Sequence, residues 1–203
     1  DYDPAREELT LWATSQTPHY LKRWLANYTL FIPEHRIRVI APDVGGGFGL
    51  KVHYAVEIPT VAWASMLLGR PVKWTATRSE TLMSDAQARD HHTRARMAFD
   101  AEGRILALEA DTIASLGAYL SNFAPSIPGN SYPQTITGLY TTPLAYLRVR
   151  GAYANTVPVD AYRGSGRPEA TLVNERLIEN GAREMGIDAA EIRRRNLIPA
   201  VRF

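Results

Sequence analysis

The sequence DVGGGFGLK, residues 43–51, places four glycines and one phenylalanine between a predicted strand and a predicted helix. The apolar pattern of residues 36–41 is typical of a strand, and that of residues 54–68, with Gly69 just beyond, predicts a helix. Pro59 either kinks this helix or moves its start to a later residue. At a strand–turn–helix junction, backbone N–H groups can converge on an anionic group. The glycine turn is therefore a candidate ligand contact.

Spacing argues against two nucleotide-binding explanations of this turn. A Walker-type phosphate loop needs adjacent Gly and Lys, but Leu50 separates Gly49 from Lys51. A dinucleotide fingerprint that begins at Gly45 needs a small residue at position 50, which is leucine. Close packing of a strand on a helix is the plainer explanation. Phe48 between glycines favours contact with a flat ligand, because bare backbone allows close approach beside the ring.

A second glycine-rich corner occurs in DAYRGSGRPE, residues 160–169, where a turn again precedes a predicted helix. Arg163 and Arg167 flank this corner. Guanidinium donors and backbone N–H groups that point the same way would form a clamp for an anion or an oxo group. Solvated surface arginines are the alternative, since most arginines are exposed.

The rest of the chain reads as mixed helices and strands, which predicts an α+β fold with a mixed sheet. Besides residues 36–41, strands are expected at residues 8–15, 70–76, 94–100, 105–114 and 146–154. A helix is expected from Pro18, with one buried stripe formed by Leu21, Trp24, Leu25 and Tyr28. Further helices are expected over residues 169–185 and after Asp188, and residues 117–143 read as irregular.

Composition places the 203 residues in the ordinary globular class, long enough for one or two compact units. The 23 basic and 21 acidic residues nearly balance, without a run of like charges, so a nucleic acid partner is not expected. No apolar stretch approaches the roughly 20 residues of a membrane span, and no export signal opens the sequence, so we expect a cytoplasmic protein. Because the chain has no cysteine, any iron–sulfur cluster must belong to another chain or domain.

Taken together, DVGGGFGLK and AYRGSGRPEA resemble the molybdenum hydroxylase family of xanthine dehydrogenase, aldehyde oxidase and aerobic carbon monoxide dehydrogenase, in its molybdenum-binding large subunit. Ser15-Gln16 resembles the glutamine segment of that family. Residues 77–80 and 88–91 are similar to its strand end and active-site approach, and DAAEIRRRNLI, residues 188–198, is similar to its asparagine–leucine helix. Five such matches occur in the family's order.

The resemblance implies that residues 1–203 are a partial molybdenum cofactor-binding domain, a fragment of a larger subunit. The start at Asp1 rather than methionine agrees with that expectation. The implied cofactor is molybdenum-molybdopterin, in its cytosine dinucleotide form. The implied partners are the rest of the large subunit, an iron–sulfur small subunit, an FAD medium subunit and a small-molecule substrate.

The resemblance also implies roles for individual residues. Gln16 would donate a hydrogen bond to an oxo ligand of molybdenum, and no side chain of this chain is expected to ligate the metal directly. The other expected cofactor contacts are Gly46, Gly47, Phe48, Gly49, Arg163 and Gly164. Arg89 and Ser165 are candidate substrate contacts; for Arg89 the alternative is a local ion pair with its neighbours Asp90 and His91.

Two departures from the family narrow the substrate. Copper-containing carbon monoxide dehydrogenases carry a cysteine directly after the loop arginine, where this chain has Gly164, so a soft copper ligand is missing there. Xanthine dehydrogenases carry a glutamate after the lysine of the glycine turn, where Val52 stands here. The sequence is thus closest to carbon monoxide dehydrogenase-like subunits without the copper cysteine, and aldehydes, N-heterocycles and small aromatic or acyl compounds remain candidate substrates.

The general base of the family is a glutamate in a Gly-Val-Gly-Glu-like segment, and no such segment occurs in these 203 residues. The nearest glycine–acid pairs, at residues 102–103 and 186–188, read as a turn and a helix cap. We therefore expect no catalytic residue here and no activity of this segment alone. A non-catalytic binding or assembly domain with the family fold, and a nucleotide-binding α/β protein, are the alternative hypotheses.

Overall fold

The computed structural model describes residues 1–52 and 55–200, which form two compact units. The first contains residues 1–87 and 161–163, and the second contains residues 88–160 and the chain from residue 164 onward. Each unit has one three-stranded mixed sheet and its own helices. The α+β class is therefore confirmed.

The first unit is built on strands β1 (Tyr2–Asp3), β2 (Glu8–Trp12) and β3 (Ile37–Ile40). The first pair is antiparallel and the second parallel. The connection from β2 to β3 includes helix α1 (Pro18–Trp24). Apolar alternation along β2 buries alternate side chains on one face, and the cluster they join contains Leu9, Leu11, Leu21, Leu25 and Ile37.

Only half of the residues expected in the buried stripe of α1 are buried. Leu21 and Leu25 are buried, but Tyr28 is 66% exposed and Trp24 is half-buried. The chain widens into a π-helical turn at Leu25–Thr29. Because a π turn holds more residues than an α turn, the side chains that follow its start are rotated away from the buried stripe. The Tyr28 ring instead packs on Trp24, with 5.5 Å between ring centroids.

Helix α2 (Glu57–Leu68) ends at Gly69, whose φ of 60° is the left-handed cap that the sequence predicted. Pro59 lies in the first turn, where the missing N–H has no intrahelical partner to lose. The helix therefore starts later than residue 54, and the expected start itself, Tyr54, lies outside the described residues.

The strand expected at residues 70–76 is wrong, as is the strand end at Thr77. Residues 71–77 pair with no strand of the described chain, and helix α3 (Arg78–Ser84) follows. Thr77 starts this helix with a capping box: its Oγ1 accepts the Glu80 N–H at 3.3 Å, and Glu80 Oε2 accepts the Thr77 N–H at 2.7 Å.

The second unit contains strands β4 (His91–Phe99), β5 (Ile105–Ser115) and β6 (Leu144–Ala152). β4 and β5 form the expected hairpin, with β4 three residues longer at its start, and β6 runs parallel to β5. Residues 117–143 are irregular as expected, apart from short π and 3-10 turns. Helices α4 (Arg167–Met185) and α5 (Ala189–Asn196) complete the unit, with Asp188 capping α5. None of the helices in the described ranges is long and apolar enough to cross a membrane.

Asn196, from the asparagine–leucine stretch, joins the end of α5 to the β4–β5 hairpin. Its side chain is buried and makes three hydrogen bonds. Oδ1 accepts the Ile105 N–H at 2.7 Å, while Nδ2 donates to the carbonyl oxygens of Gly103 and Ile192, each at 2.8 Å. The residue therefore has a structural role in the second unit.

We expect Asn196→Ala to lower the free energy of unfolding by roughly 2–4 kcal/mol, because it removes three buried hydrogen bonds between the side chain and backbone groups. Urea unfolding followed by circular dichroism measures the change. The control is Asn27→Ala at an exposed position, with an expected effect below about 0.5 kcal/mol. A variant at position 196 as stable as this control would contradict the assignment.

Candidate functional site

The loop after β2 docks on the glycine turn through a short set of hydrogen bonds within the first unit. Gln16 N donates to the carbonyl oxygen of Lys51 at 3.2 Å, and buried Ser15 donates from Oγ to the same oxygen at 3.4 Å. The Gln16 side chain reaches across the turn, where its Oε1 accepts the Gly49 N–H at 2.9 Å. That bond fixes which way the amide faces. In the described part of the chain no group accepts from Gln16 Nε2, so this donor is available to a ligand.

The glycines of the turn create the space that Gln16 occupies. A Cβ on Gly47 would lie 2.2 Å from Gln16 Oε1, and one on Gly49 would lie 2.7 Å from the carbonyl oxygen of Ala161. Gly46 and Gly49 also adopt φ values of 99° and 90°, which favour glycine. Phe48 has φ 55° and is 54% exposed, an uncommon conformation for a large residue. Backbone strain of this kind often accompanies functional sites.

Arg163 completes the cluster in the first unit. Its backbone N–H donates to the Phe48 carbonyl oxygen at 2.7 Å, and its guanidinium carbon lies 5.5 Å from the centre of the Phe48 ring. This distance is within the range of a cation–π interaction. The structure therefore brings together Gln16, the glycine turn and Arg163, as the sequence predicted for a ligand-binding cluster.

Gly164 and Ser165 lie in the second unit, in a turn of three consecutive left-handed residues. Gly164, Ser165 and Gly166 have φ values of 100°, 43° and 89°. A Cβ on Gly164 would lie 2.6 Å from Pro168 Cδ, and the Arg167 guanidinium donates to the Gly164 carbonyl oxygen at 3.2 Å. The Arg167 side chain therefore stabilises the turn that precedes it. Ser165 is the one residue of the three with a side chain in this strained region.

Arg89 forms an ion pair with Glu169, with 3.3 Å between Nε and Oε2. This partner lies in the first turn of α4 and was not foreseen from the sequence, which offered only Asp90 and His91 as pair partners. Glu169 was overlooked although it lies inside the AYRGSGRPEA stretch. Its position offered a signal, because acidic side chains are favoured in the first turn of a helix.

Asp160 was also overlooked. It is 2% exposed, accepts a hydrogen bond from Ser121 Oγ, and accepts the Phe123 N–H at 3.3 Å. This carboxylate anchors the chain immediately before the Arg163 loop. Asp160 opens the DAYRGSGRPE stretch, but that pattern does not show its role, since its partners lie in the irregular segment.

His91 lies close to Glu169 and packs edge-on against Tyr132, with 5.2 Å between ring centroids. Burial lowers the pKa of the His91 imidazole from its ordinary value of 6.5, and the negative charges of Glu169 and Asp90 oppose that shift only in part. The imidazole is therefore neutral at neutral pH.

Among residues 1–52 and 55–200, no three histidine, aspartate or glutamate side chains are grouped as metal ligands. The cluster around the glycine turn instead offers amide, backbone and guanidinium donors. Such donors suit the oxygens of a bound group rather than a bare cation.

The family profile described as "Molybdopterin cofactor-binding domain" matches residues 1–197. The chain belongs to this family. It is 39% identical to the carbon monoxide dehydrogenase large chain of Afipia carboxidovorans and 37% identical to the nicotine 6-hydroxylase large subunit of Paenarthrobacter nicotinovorans. These alignments cover 99% and 98% of the chain, but only 25% and 24% of the relatives. The chain thus spans about a quarter of the length of these curated relatives.

Quinoline 2-oxidoreductase from Pseudomonas putida 86 has a closely similar structure, with a TM-score of 0.96 and 35% sequence identity. The match covers 100% of this chain and 26% of that one. The resemblance to the large subunits of molybdenum hydroxylases is therefore confirmed.

The depressed pKa of His91 makes stability depend on pH. Below about pH 6.5 the unfolded chain binds a proton on this imidazole that the folded chain does not yet bind. The free energy of unfolding therefore falls as pH decreases from 6.5 through the folded-state pKa, and His91 has no effect on it at higher pH.

We expect His91→Phe, which keeps an aromatic ring, to flatten this acid-side slope when urea unfolding is measured between about pH 5 and pH 7.5. His92→Phe changes the exposed neighbour on the same strand and serves as the control. Equal slopes in wild type and His91→Phe would rule out a buried neutral imidazole at this position.

Proposed function

We propose that this chain forms one wall of the molybdopterin site in a molybdenum hydroxylase that oxidises a carbon centre with water-derived oxygen. Residues 1–203 would be part of its cofactor-binding domain. The observation that carries the proposal is the hydrogen bond from the Gly49 N–H to Gln16 Oε1. Because that bond occupies the amide oxygen, Gln16 turns its Nε2 donor toward a ligand, as an oxygen of the cofactor requires.

The residues of the turn fit a pterin cofactor. Gly46, Gly47 and Gly49 leave bare backbone, so a flat group can approach closely, while Phe48 is half exposed beside them. The cationic Arg163 over the Phe48 ring offers compensation for the negative charge of a phosphate-bearing group. The cytosine dinucleotide form is part of this proposal.

When bound, the cofactor supplies the redox chemistry of the reaction. Gln16 would donate from Nε2 to a cofactor oxygen, and Phe48 would exclude water from the adjoining space. Arg163 would hold its guanidinium beside that oxygen-rich group, with its backbone fixed by the Phe48 carbonyl. These preorganised donors are the contribution of this chain to catalysis.

The base and the electron acceptors lie elsewhere in this proposal. No Gly-Val-Gly-Glu-like segment occurs in these 203 residues, so a glutamate base would come from the rest of a large subunit. Iron–sulfur and FAD centres would sit on partner subunits, since this chain has no cysteine. A cytoplasmic location is proposed with this assembly.

For the substrate we propose an N-heteroaromatic compound, oxidised at a ring carbon. Two relatives bear the names nicotine 6-hydroxylase and quinoline 2-oxidoreductase. The copper mechanism of carbon monoxide oxidation is disfavoured, because Gly164 offers no thiolate where the copper-containing enzymes carry a cysteine. Arg89 and Ser165 would contact this substrate.

Gly47→Ala tests the proposed wall. The added Cβ would displace the Gln16 amide without backbone strain of its own, so we expect the natural full-length protein to lose about tenfold or more of its molybdenum and pterin content. Metal analysis by mass spectrometry and fluorescence of the released, oxidised pterin measure the two contents.

Gly45→Ala is the matched control, because a Cβ there meets nothing within 4 Å although φ is 67°. Its cofactor content should stay closer to wild type. Wild-type protein that binds NAD or ATP but no pterin would refute the proposed function.

We expect the purified 203-residue chain to show no substrate-dependent dye reduction, even after loading with cofactor, because the general base is missing. The natural full-length protein with its partner subunits is the comparison, and circular dichroism checks that the short chain is folded. Turnover by the short chain would contradict the assignment of the base. Cofactor-loaded full-length protein that oxidises no aldehyde or heteroaromatic compound would favour a binding or assembly role.

A further inference from the structure

The sheet of the second unit has one covered face and one exposed face. On the covered face, Leu108, Leu147 and Val149 pack in a cluster that includes Ala170 of helix α4. The other face, here named the arginine face, carries mainly charged side chains. Arginines stand on the two edge strands and carboxylates on the central strand: Arg94 and Arg96 on β4, Glu109 and Asp111 on β5, Arg148 and Arg150 on β6. Positive charge therefore exceeds negative charge along these strands.

The two carboxylates of the arginine face already form ion pairs within the sheet. Glu109 pairs with Arg96, with 2.5 Å between Oε2 and the guanidinium. Asp111 pairs with both Arg148 and Arg150 on the neighbouring strand. A hydrogen bond from Arg148 lowers the pKa of the Asp111 carboxyl, so this group is ionised at neutral pH. Such exposed pairs contribute little to stability, and one carboxylate shared by two arginines leaves positive charge on the surface.

Arg94, on the edge strand β4, is the arginine of this face best placed for a contact with another molecule. It lies opposite Asp111 in the β4–β5 pairing, but Asp111 pairs with the two arginines of β6. The Arg94 side chain is exposed, and within residues 1–52 and 55–200 it forms no hydrogen bond or ion pair. Its guanidinium can therefore donate to a carboxylate of a partner, in the bidentate geometry that such pairs favour.

Apolar side chains lie beside the charges on the same face. Tyr146 stands opposite Glu109 and is 59% exposed, and Leu144, two residues earlier on β6, is 65% exposed. Arginine and tyrosine are enriched where proteins bind one another, because both combine apolar area with a polar end. The arginine face therefore has the composition of a protein–protein interface.

The charges favour one kind of occupant, an acidic protein surface. A second copy of the same face, related by a two-fold axis, would place arginines against arginines. A nucleic acid would meet the carboxylates of Glu109 and Asp111, which repel phosphate. Permanent internal contacts are more apolar, as the covered face of this sheet is. A surface of mixed charge is instead typical of contacts between separately folded proteins.

We propose that the arginine face binds an acidic surface of a partner subunit, with Arg94 donating to a carboxylate and Tyr146 packing beside it. The inference rests on the proposed function, in which this chain belongs to an enzyme of several subunits. Complementary charge steers the association of two proteins and fixes their register. The second unit thus contributes to assembly, while the glycine turn of the first unit contributes to the cofactor site.

The first test locates the contact by labelling arginines with phenylglyoxal and measuring the labelled peptides by mass spectrometry. It uses the natural full-length protein, alone and in complex with its partner subunits. We expect Arg94 to react in the isolated large subunit and to be protected in the complex. Arg176, exposed on helix α4, is the matched control and should react equally in both states.

The second test measures affinity. Arg94→Ala breaks no contact of the described chain, so its melting temperature should stay near wild type. We expect it to raise the Kd between the large subunit and its partner subunits about tenfold. Its Kd should also depend less on salt between about 0.05 and 0.3 M NaCl. Mass photometry of diluted complexes measures both effects, and Arg176→Ala should leave the Kd within about twofold of wild type.

Several results would overturn the inference. Arg94 that stays reactive in the complex excludes the contact, and so does a cofactor-loaded large subunit that binds no partner subunit. Protection already present in the isolated large subunit would mean that its own remaining segments or a second copy cover the face. Binding of duplex DNA that Arg94→Ala abolishes, with the Kd of the complex unchanged, would assign the face to nucleic acid.

Failure of the proposed function gives a different result. Wild-type protein without molybdenum or pterin would refute the proposed cofactor site, whatever the labelling of Arg94. A complex that retains both, but leaves Arg94 reactive, overturns only the docking inference. Metal analysis of the same complex therefore separates the two failures.

Discussion

The hydrogen bond between the Gly49 N–H and Gln16 Oε1 is the constraint on which the arrangement of the candidate site depends. It exists only because Gly47 lacks the Cβ that would occupy the position of the Gln16 amide. The glutamine follows β2 and the glycine turn follows β3, two parallel neighbours in one sheet. The register of that sheet therefore determines whether the amide reaches the turn at all.

In the second unit, different contacts hold the corresponding turn in place. The Gly164–Gly166 turn holds three successive residues at positive φ, including a serine, and such conformations cost free energy that neighbouring contacts must offset. The Arg167 guanidinium stabilises this turn by donating a hydrogen bond to the Gly164 carbonyl oxygen. On either side of the Arg163 loop a buried carboxylate, Asp160 before it and Glu169 after it, is tied to a distant part of the unit.

Patterns with a strong local cause were predictable from the sequence. The α2 cap at Gly69 and the Asp188 cap of α5 follow from single-residue preferences, and the β4–β5 hairpin follows from its turn. The capping box of Thr77 and Glu80 is equally local but was overlooked. Residues 70–76 looked like a strand, so Thr77 was interpreted as the end of that strand and not as the start of a helix.

Other features could not be read locally. Tyr28 lies outside the buried stripe because a π turn changes the periodicity of the helix. No residue in Leu25–Thr29 is a sequence signal for such a turn. The cluster of Gln16, Phe48 and Arg163 was anticipated through resemblance to a family, whereas spacing alone only argued against phosphate-loop and dinucleotide sites. The place of Glu169 in the first turn of α4 was a local signal, but its pairing with Arg89 was not, because the two residues lie far apart in sequence.

The polar groups of this chain differ in how firmly they are held, and that difference bears on what each can do. The Gln16 amide and the Arg163 backbone are each fixed by a hydrogen bond of ordinary length, which suits groups that orient a rigid cofactor. Arg89 Nε instead faces a buried carboxylate oxygen of Glu169 at 3.3 Å without hydrogen-bond geometry. The hydrogen-bonded groups of the first unit are therefore oriented more precisely than this ion pair of the second unit.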